Sequence, residues 1–126
     1  KNLTASNSAS IVLFSTVAVQ RGMPFHSSVS SSKGAIEGLA KSLAAELSPK
    51  IRVNVIAPSL VNTPLANRFL NNDIKIEKSA NRHPLKRIGS ASDIANLTDY
   101  LISDKSSWIT GQIIAVDGGL STIETN

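Results

Sequence analysis

The chain has 126 residues, 41% of them hydrophobic and 17% charged, which is typical of one soluble globular domain. It contains no cysteine and two histidines, His26 and His83, which excludes thiolate ligands, and we expect no metal site. The net charge is +4, but the basic residues are scattered and the aromatic content is 4%, which argues against a nucleic-acid partner. No apolar run is long enough for a membrane span, and we expect a cytoplasmic protein.

Three short apolar runs predict buried β-strands. The first covers residues 10–15, the second covers 51–57 and is ended by Pro58, and the third covers 112–119. The third run closes with two glycines, which permit positive φ.

A long helix is predicted over residues 27–48, where Pro49 ends it because the residue before a proline avoids the helical region. One face is apolar: Ile36, Leu39, Ala40, Leu43, Ala44 and Leu47. A second face carries small residues: Gly34, Gly38, Ser42 and Ala45. That face packs either on the chain's own sheet or on a second subunit, and the sequence leaves both open.

A later helix is predicted in "SASDIANLTDYLIS" (residues 90–103), with Ser90 or Ser92 as its N-cap. Its apolar face is formed by Ile94, Leu97 and Leu101. The roughly 30 residues between Pro58 and this helix have weak patterning, which is typical of a binding lid or a disordered segment.

The order of these elements is strand, helix, strand, long loop, helix, strand, which predicts an α/β fold with a parallel sheet and right-handed crossovers. Parallel strands need cover on both faces and neighbours at both edges. Three strands supply too little of both, so we expect the chain to be part of a larger domain. An autonomous small binding module is disfavoured for the same reason.

Three segments in this order resemble the C-terminal half of the short-chain dehydrogenase/reductase family, in the style of 3-oxoacyl-carrier-protein reductases and glucose dehydrogenases. They are "SIVLFSTVA" (10–18), "SVSSSKGAIEGLAKSLAAELSPKIRVNVIAPSLVNTPL" (28–65) and "HPLKRIGSASDIANLTDYLISDKSSWITGQIIAVDGG" (83–119).

The resemblance implies a Rossmann-type parallel sheet with flanking helices, NAD or NADP as cofactor, and hydride transfer between an alcohol and a carbonyl of a small molecule. It also implies a homodimer or homotetramer. Residues 1–126 would be the C-terminal part of one domain, because the family's glycine-rich phosphate loop belongs to the first half and no such motif occurs in these residues.

In this family a tyrosine exchanges the proton of the substrate oxygen, and a lysine four residues later lowers the tyrosine pKa and binds the nicotinamide ribose. The resemblance assigns Lys33 to the lysine position, which leaves Val29 at the tyrosine position. The family's serine, thirteen residues before that tyrosine, falls on Thr16, which keeps a hydroxyl. Since valine exchanges no proton, we expect slow catalysis, unless another group such as His26 substitutes.

The segment "APSLVNTPL" resembles the family's cofactor turn after the second strand. There the resemblance implies that Pro58 packs near the nicotinamide ring and that Val61 and Thr63 hold its carboxamide. Ser59 replaces the usual glycine, which would be unfavourable if that position required positive φ. Residues 64–84 are expected to form a mobile substrate lid.

Two functions therefore remain open. One is an NAD(P)-dependent oxidoreductase impaired by Val29, and the other is a non-catalytic member of the same fold that binds cofactor or assembles with partners. Turnover of cofactor against a panel of carbonyls separates the two.

Overall fold

A computed structural model describes residues 8–125 and contains one parallel sheet of three strands. The strands are β1 (Ala9–Phe14), β2 (Ile51–Pro58) and β3 (Ile113–Val116), in the order β1-β2-β3. Both pairings are parallel, which confirms the predicted fold class. The first strand lies one residue earlier than predicted, and the third is shorter than the predicted run. The remaining residues of the predicted domain, 1–7 and 126, lie outside the described part.

The central strand β2 carries the core. Seven of its eight residues are buried, whereas most of β1 and all of β3 are half-buried. Val53 and Val55 are fully buried, and burying a side chain of this size contributes about 1.5–3 kcal/mol. Because β2 pairs on both edges and is covered on both faces, its near-continuous apolar sequence is the pattern expected of a buried parallel strand.

Three helices flank the sheet: α1 (Ser27–Leu47), α2 (Asp73–Asn81) and α3 (Ala91–Ile102). Single 3-10 turns lie at Val17–Val19, Pro64–Ala66 and Asp104–Ser106. Within the described residues, no helix combines the length and the apolar character that crossing a membrane requires.

The long helix α1 matches its prediction within one residue, but its faces differ from it. Ala40 and Ala44 are buried against β2, whereas Leu39, predicted on the core face, is 53% exposed. The small face is not packed on the sheet: a Cβ added at Gly38 would meet no atom within 4 Å, and Ser42 and Ala45 are exposed. The prediction that this face packs closely on the chain's own sheet is therefore wrong for these three residues.

The segment expected to be a featureless lid contains the helix α2. Asn72 caps this helix by accepting a hydrogen bond from the backbone N–H of Lys75 at 2.9 Å. None of the residues of α2 is buried, so the hydrophobic pattern that marks most helices is missing. The segment forms local structure through its cap rather than through an apolar face.

A buried arginine fastens α3 to the sheet. Arg52 on β2 is 9% exposed, and its guanidinium donates to the backbone oxygens of Leu101 and Ser103 at 3.0 Å each. It also donates to the hydroxyl of Ser106 at 2.8 Å. The carbonyls at the end of a helix have no partner within the helix and carry partial negative charge, so a cation there satisfies both needs.

Candidate functional site

The candidate site lies at the carboxyl edge of the sheet, where open parallel α/β sheets bind their ligands. Phe14 pairs with Ile56, and the backbone N–H of Ser15 donates to the oxygen of Ile56 at 2.8 Å. The residues that follow these two strands therefore lie side by side. They include Thr16 after β1 and Ser59 after β2.

The two hydroxyls after β1 have different surroundings. Ser15 is buried and donates to the Glu37 carboxylate of α1 at 2.5 Å. Thr16 is half-buried and extended, and its Oγ1 accepts the N–H of Ala18 at 3.3 Å, which starts the 3-10 turn. That contact uses an acceptor lone pair and leaves the proton of Thr16 available for donation. Ser15 thus links the end of β1 to α1, whereas the Thr16 hydroxyl can donate a hydrogen bond to a ligand.

The first turns of α1 bring Lys33 to the same edge. The Lys33 ammonium donates to the backbone oxygen of Phe14 at 3.0 Å, and Ser30 Oγ donates to the oxygen of Ala18 at 2.8 Å. Both contacts tie the helix to the segment that carries Thr16. Val29 lies one turn before Lys33 on the same helix face, and it is 45% exposed.

A cleft of about 470 Å³ opens beside Thr16, and we name it the Thr16 cleft. One wall holds Thr16, His26 and Ser59, and the other includes residues of α2 and the segment after it. Those opposing residues are Lys75, Lys78, Ser79, Arg82 and His83. The cleft therefore combines a hydroxyl-rich wall with a cationic one.

Three of the four predicted cofactor residues lie together in a separate open groove of about 600 Å³, whereas Lys33 does not line it. Pro58, Val61 and Thr63 line it with residues of α3, and most of its surface is apolar. A parallel bridge joins Val61 to Gly89, and the N–H of Asn62 donates to the oxygen of Gly89 at 2.8 Å, so the turn is held in place. The groove therefore presents a largely apolar surface whose lining includes the hydroxyl-bearing side chain of Thr63.

The predicted strain at Ser59 does not occur. Among the described non-glycine residues, positive φ is found at Phe25 and Lys86 only, so Ser59 occupies a backbone conformation open to any residue. The glycines at positions 118 and 119, by contrast, have φ of 60° and 88°, as their pairing predicted.

Sequence reasoning missed a contact between Ser59 and His83, which are 24 residues apart. Ser59 Oγ lies 2.9 Å from His83 Nε2, and His83 Nδ1 lies 2.8 Å from the backbone oxygen of Ser79. His83 is 4% exposed. No local motif signals this pair, because neither residue belongs to a pattern of its own.

Asp117, at the end of β3, supplies negative charge close to His83. Burial raises its pKa, but hydrogen bonds from Ser121 and from the N–H of Gly119 lower it, and so does the charge of His83. The net effect holds the pKa of Asp117 below its usual value, so the group is a carboxylate at neutral pH.

His26, the predicted substitute acid, lies before the first turn of α1. Its Nδ1 is 2.7 Å from the backbone oxygen of Pro24, and the side chain makes no cap contact with the helix. It lines the Thr16 cleft but is exposed.

The fold and this edge define an α/β protein whose strand ends offer hydroxyls, a lysine and an apolar groove to a ligand. A family model described as enoyl-(acyl carrier protein) reductase matches residues 1–121. A tropinone reductase homolog from Datura stramonium is 44% identical over 121 residues, which cover 93% of this chain and 45% of that protein.

Solved structures agree with this match. Aldohexose dehydrogenase from Thermoplasma acidophilum, in ligand-free form, is similar with a TM-score of 0.87 and 34% identity, covering 97% of this chain and 52% of that structure. A 4-hydroxyisoleucine dehydrogenase in complex with NADH is similar with a TM-score of 0.84 and 31% identity, covering 91% of this chain and 48% of that structure.

The chain belongs to the short-chain dehydrogenase/reductase superfamily. It spans about half the length of the curated relatives it matches.

Proposed function

We propose that the chain is the C-terminal part of an NAD(P)-dependent oxidoreductase that interconverts a small-molecule alcohol and carbonyl, and that Val29 slows it. The observation that carries this proposal is the convergence of Lys33 and Thr16 on the end of β1, through the Lys33 contact with the oxygen of Phe14 at 3.0 Å. A lysine and a hydroxyl at this edge are the features of the family's catalytic group that this chain retains beside the cofactor turn.

Each retained residue has a separate role in this proposal. Thr16 donates a hydrogen bond to the substrate oxygen, and Lys33 binds the nicotinamide ribose. Pro58, Val61 and Thr63 hold the nicotinamide ring and its carboxamide in the apolar groove that they line. The bound cofactor, NAD or NADP, supplies or accepts the hydride.

Cofactor binding by the complete protein tests these roles. Lys33→Met should weaken binding of the reduced cofactor at least tenfold, measured by the fluorescence of its nicotinamide, because the ribose loses a charged donor. The matched control is Lys41→Met, which removes an exposed lysine from the same helix. Equal affinity in both variants would remove Lys33 from the site.

A second candidate is a non-catalytic member that binds cofactor and assembles with partners, and Val29 is the observation that favours it. Valine neither donates nor accepts a proton, and general acid–base catalysis contributes about 10²–10⁴-fold. A complete protein that binds cofactor but turns over no carbonyl in a broad panel would support this candidate.

We also propose that a second copy of the chain covers the small face of α1, giving a homodimer or homotetramer. Gly38, Ser42 and Ala45 on that face are exposed, and small side chains allow another backbone to approach closely. Ser42→Arg should shift the complete protein toward monomer in sedimentation, and an unchanged oligomer would place the contact elsewhere. A cytoplasmic location stays a prediction.

Residues 1–126 form, in this proposal, the C-terminal part of a single larger domain. Among the described strands, β1 pairs only with β2, so its other edge offers unpaired N–H and carbonyl groups. Expressed alone, residues 1–126 should show weak hydrogen-exchange protection in β1. Strong protection in a monomer would contradict the proposal.

A further inference from the structure

The contact between Ser59 and His83 has a fixed direction. A backbone carbonyl only accepts hydrogen bonds, so the Nδ1 of His83, 2.8 Å from the oxygen of Ser79, must carry a proton. In the neutral ring Nε2 is then an acceptor, and the hydroxyl of Ser59, 2.9 Å away, is the donor. His83 Nε2 is therefore a base that accepts the hydrogen bond of the Ser59 hydroxyl.

The fold supports this arrangement from two sides. Ser79 belongs to the last turn of α2, where carbonyl oxygens have no partner within the helix and accept hydrogen bonds from other groups. The Asp117 carboxylate, which follows β3, lies close enough to interact electrostatically with His83. His83 is almost fully buried, whereas Ser59 is half-buried, so Ser59 is the member of the pair that a ligand can reach.

Ser59 and Thr16 line the same cleft and follow neighbouring strands of the sheet. A substrate oxygen held by Thr16 would therefore lie in the cleft that the Ser59 hydroxyl also lines. This chain thus places a hydroxyl and a base at the edge where it lacks a tyrosine.

We propose that Ser59 and His83 form a proton relay that serves the substrate oxygen in place of the tyrosine missing at position 29. This inference rests on the oxidoreductase function proposed above. In carbonyl reduction, a nicotinamide cofactor held by Lys33, Pro58, Val61 and Thr63 would supply a hydride to the carbonyl carbon, and the carbonyl π electrons would become a lone pair on oxygen that needs a proton.

The proton then follows a balanced path. The substrate oxygen takes the proton of Ser59, and Ser59 Oγ takes the Nε2 proton of the His83 imidazolium. The ring is left neutral, with its Nδ1–H still donating a hydrogen bond to the backbone oxygen of Ser79. Solvent then returns a proton to Nε2 and restores the imidazolium. Alcohol oxidation runs the same transfers in reverse.

The first test measures the tautomer of His83 in the complete protein by long-range ¹H–¹⁵N NMR, without any turnover. The neutral ring should carry its proton on Nδ1 and none on Nε2. If the proton were on Nε2 instead, the neutral ring would donate to Ser59 and could not accept its proton. That result would overturn the relay.

The second test measures carbonyl reduction by variants of the complete protein, with cofactor binding recorded for each. Ser59→Gly and His83→Gln should each lower the rate at least tenfold, the low side of the range for an acid–base group. The control Ser107→Ala, on an exposed serine of another turn, should leave the rate unchanged.

Rescue separates proton transfer from a structural role. With Val29→Tyr in place, the new phenol lies one turn from Lys33 and supplies the proton itself, so adding Ser59→Gly should no longer lower the rate. A structural defect at Ser59 would lower the rate by the same factor with Val29 or with the tyrosine. An equal loss in both backgrounds, in folded variants that bind cofactor, would overturn the relay.

The outcomes also separate the relay from the function on which it rests. If Ser59→Gly and His83→Gln keep the full rate, the relay is wrong but the oxidoreductase function is not. The same conclusion follows if His26→Gln lowers the rate and His83→Gln does not. Turnover that appears only with Val29→Tyr would overturn the relay and support the non-catalytic candidate. No turnover in the natural protein or in Val29→Tyr would overturn both.

Discussion

The helices α1 and α3 begin in opposite ways. At the start of α3, Ser90 accepts the N–H of Asp93 at 3.3 Å, and Asp93 accepts the N–H of Ser90 at 2.7 Å, which forms a capping box. Arg87 adds two hydrogen bonds to the Asp93 carboxylate, at 2.7 and 2.9 Å. The start of α1 has no side-chain cap and no acidic residue in its first turn.

The polar residues at the start of α1 bind other segments instead. Ser30 donates to Ala18 and Lys33 donates to Phe14, so this helix start is held by the chain around the candidate site. Phe25, just before it, has a φ of 63° and an exposed side chain. The start of α3 is stabilised by its own cap, whereas the start of α1 is stabilised by contacts with the segment that carries the candidate site.

The largest effect should come from loosening the far end of α3. Arg52→Met should lower the free energy of unfolding of the complete protein by about 3 kcal/mol, because buried helix-end carbonyls lose a charged donor. Urea denaturation measures it, with Lys50→Met as the exposed control. A loss no larger than that of the control would show that the carbonyls find other partners.

The second largest effect is expected on the rate of carbonyl reduction, from a change at the start of α1. Val29→Tyr should raise cofactor-linked carbonyl reduction at least tenfold, the low side for an acid–base group. Since Val29 is 45% exposed, the larger ring should fit without overpacking. Val29→Phe adds a ring without the hydroxyl and should give no gain; equal gains from both would exclude proton transfer as the cause.

A smaller effect is expected at the start of α3. Ser90→Ala removes the N-cap and should destabilise the complete protein by about 1 kcal/mol, read as a lower urea midpoint. Ser28→Ala, in the first turn of α1, removes a serine that makes no cap contact and serves as its counterpart. Equal losses at both positions would erase the difference between the two helix starts.

The smallest effect is expected on the stability of the complete protein at low pH. The Arg87 guanidinium and the Ser90 groups hold the pKa of Asp93 well below its usual value of 3.8. A lowered pKa contributes stability that is present above the usual value and is lost as pH falls below it. Asp93→Asn should therefore reduce the stability lost between pH 5 and pH 2, seen as a flatter profile of urea midpoints. An unchanged slope would contradict this.

Sequence reasoning found the elements that bury apolar residues and missed those that do not. The segments that form β2 and α1 carry several apolar residues and are each ended by a proline, so the sequence predicts their bounds within one residue. The helix α2 is not predicted because none of its residues is buried, although Asn72 followed by Asp73 is a usable start signal. Leu39 was misplaced because helical spacing alone does not tell which of two apolar stripes faces the sheet.

The candidate site divides in the same way. Thr16 and Lys33 could be placed from a resemblance, because their spacing is local to one strand and one helix. The pairing of Ser59 with His83 could not, because it depends on how α2 folds back over the end of β2. The burial of polar residues such as Arg52 and Glu37 could not be predicted either, because their hydrogen-bond partners are set only by the tertiary fold.

The central position of β2 also governs how fast this sheet forms. Its residues pair with β1 and β3 partners that are separated along the chain by roughly forty and sixty residues, so neither pairing is local. Each requires closure of a long loop before any contact repays the lost chain entropy. We therefore expect α1 to form early, the sheet to assemble slowly, and the apolar β2 segment to be the stretch most open to aggregation in the meantime.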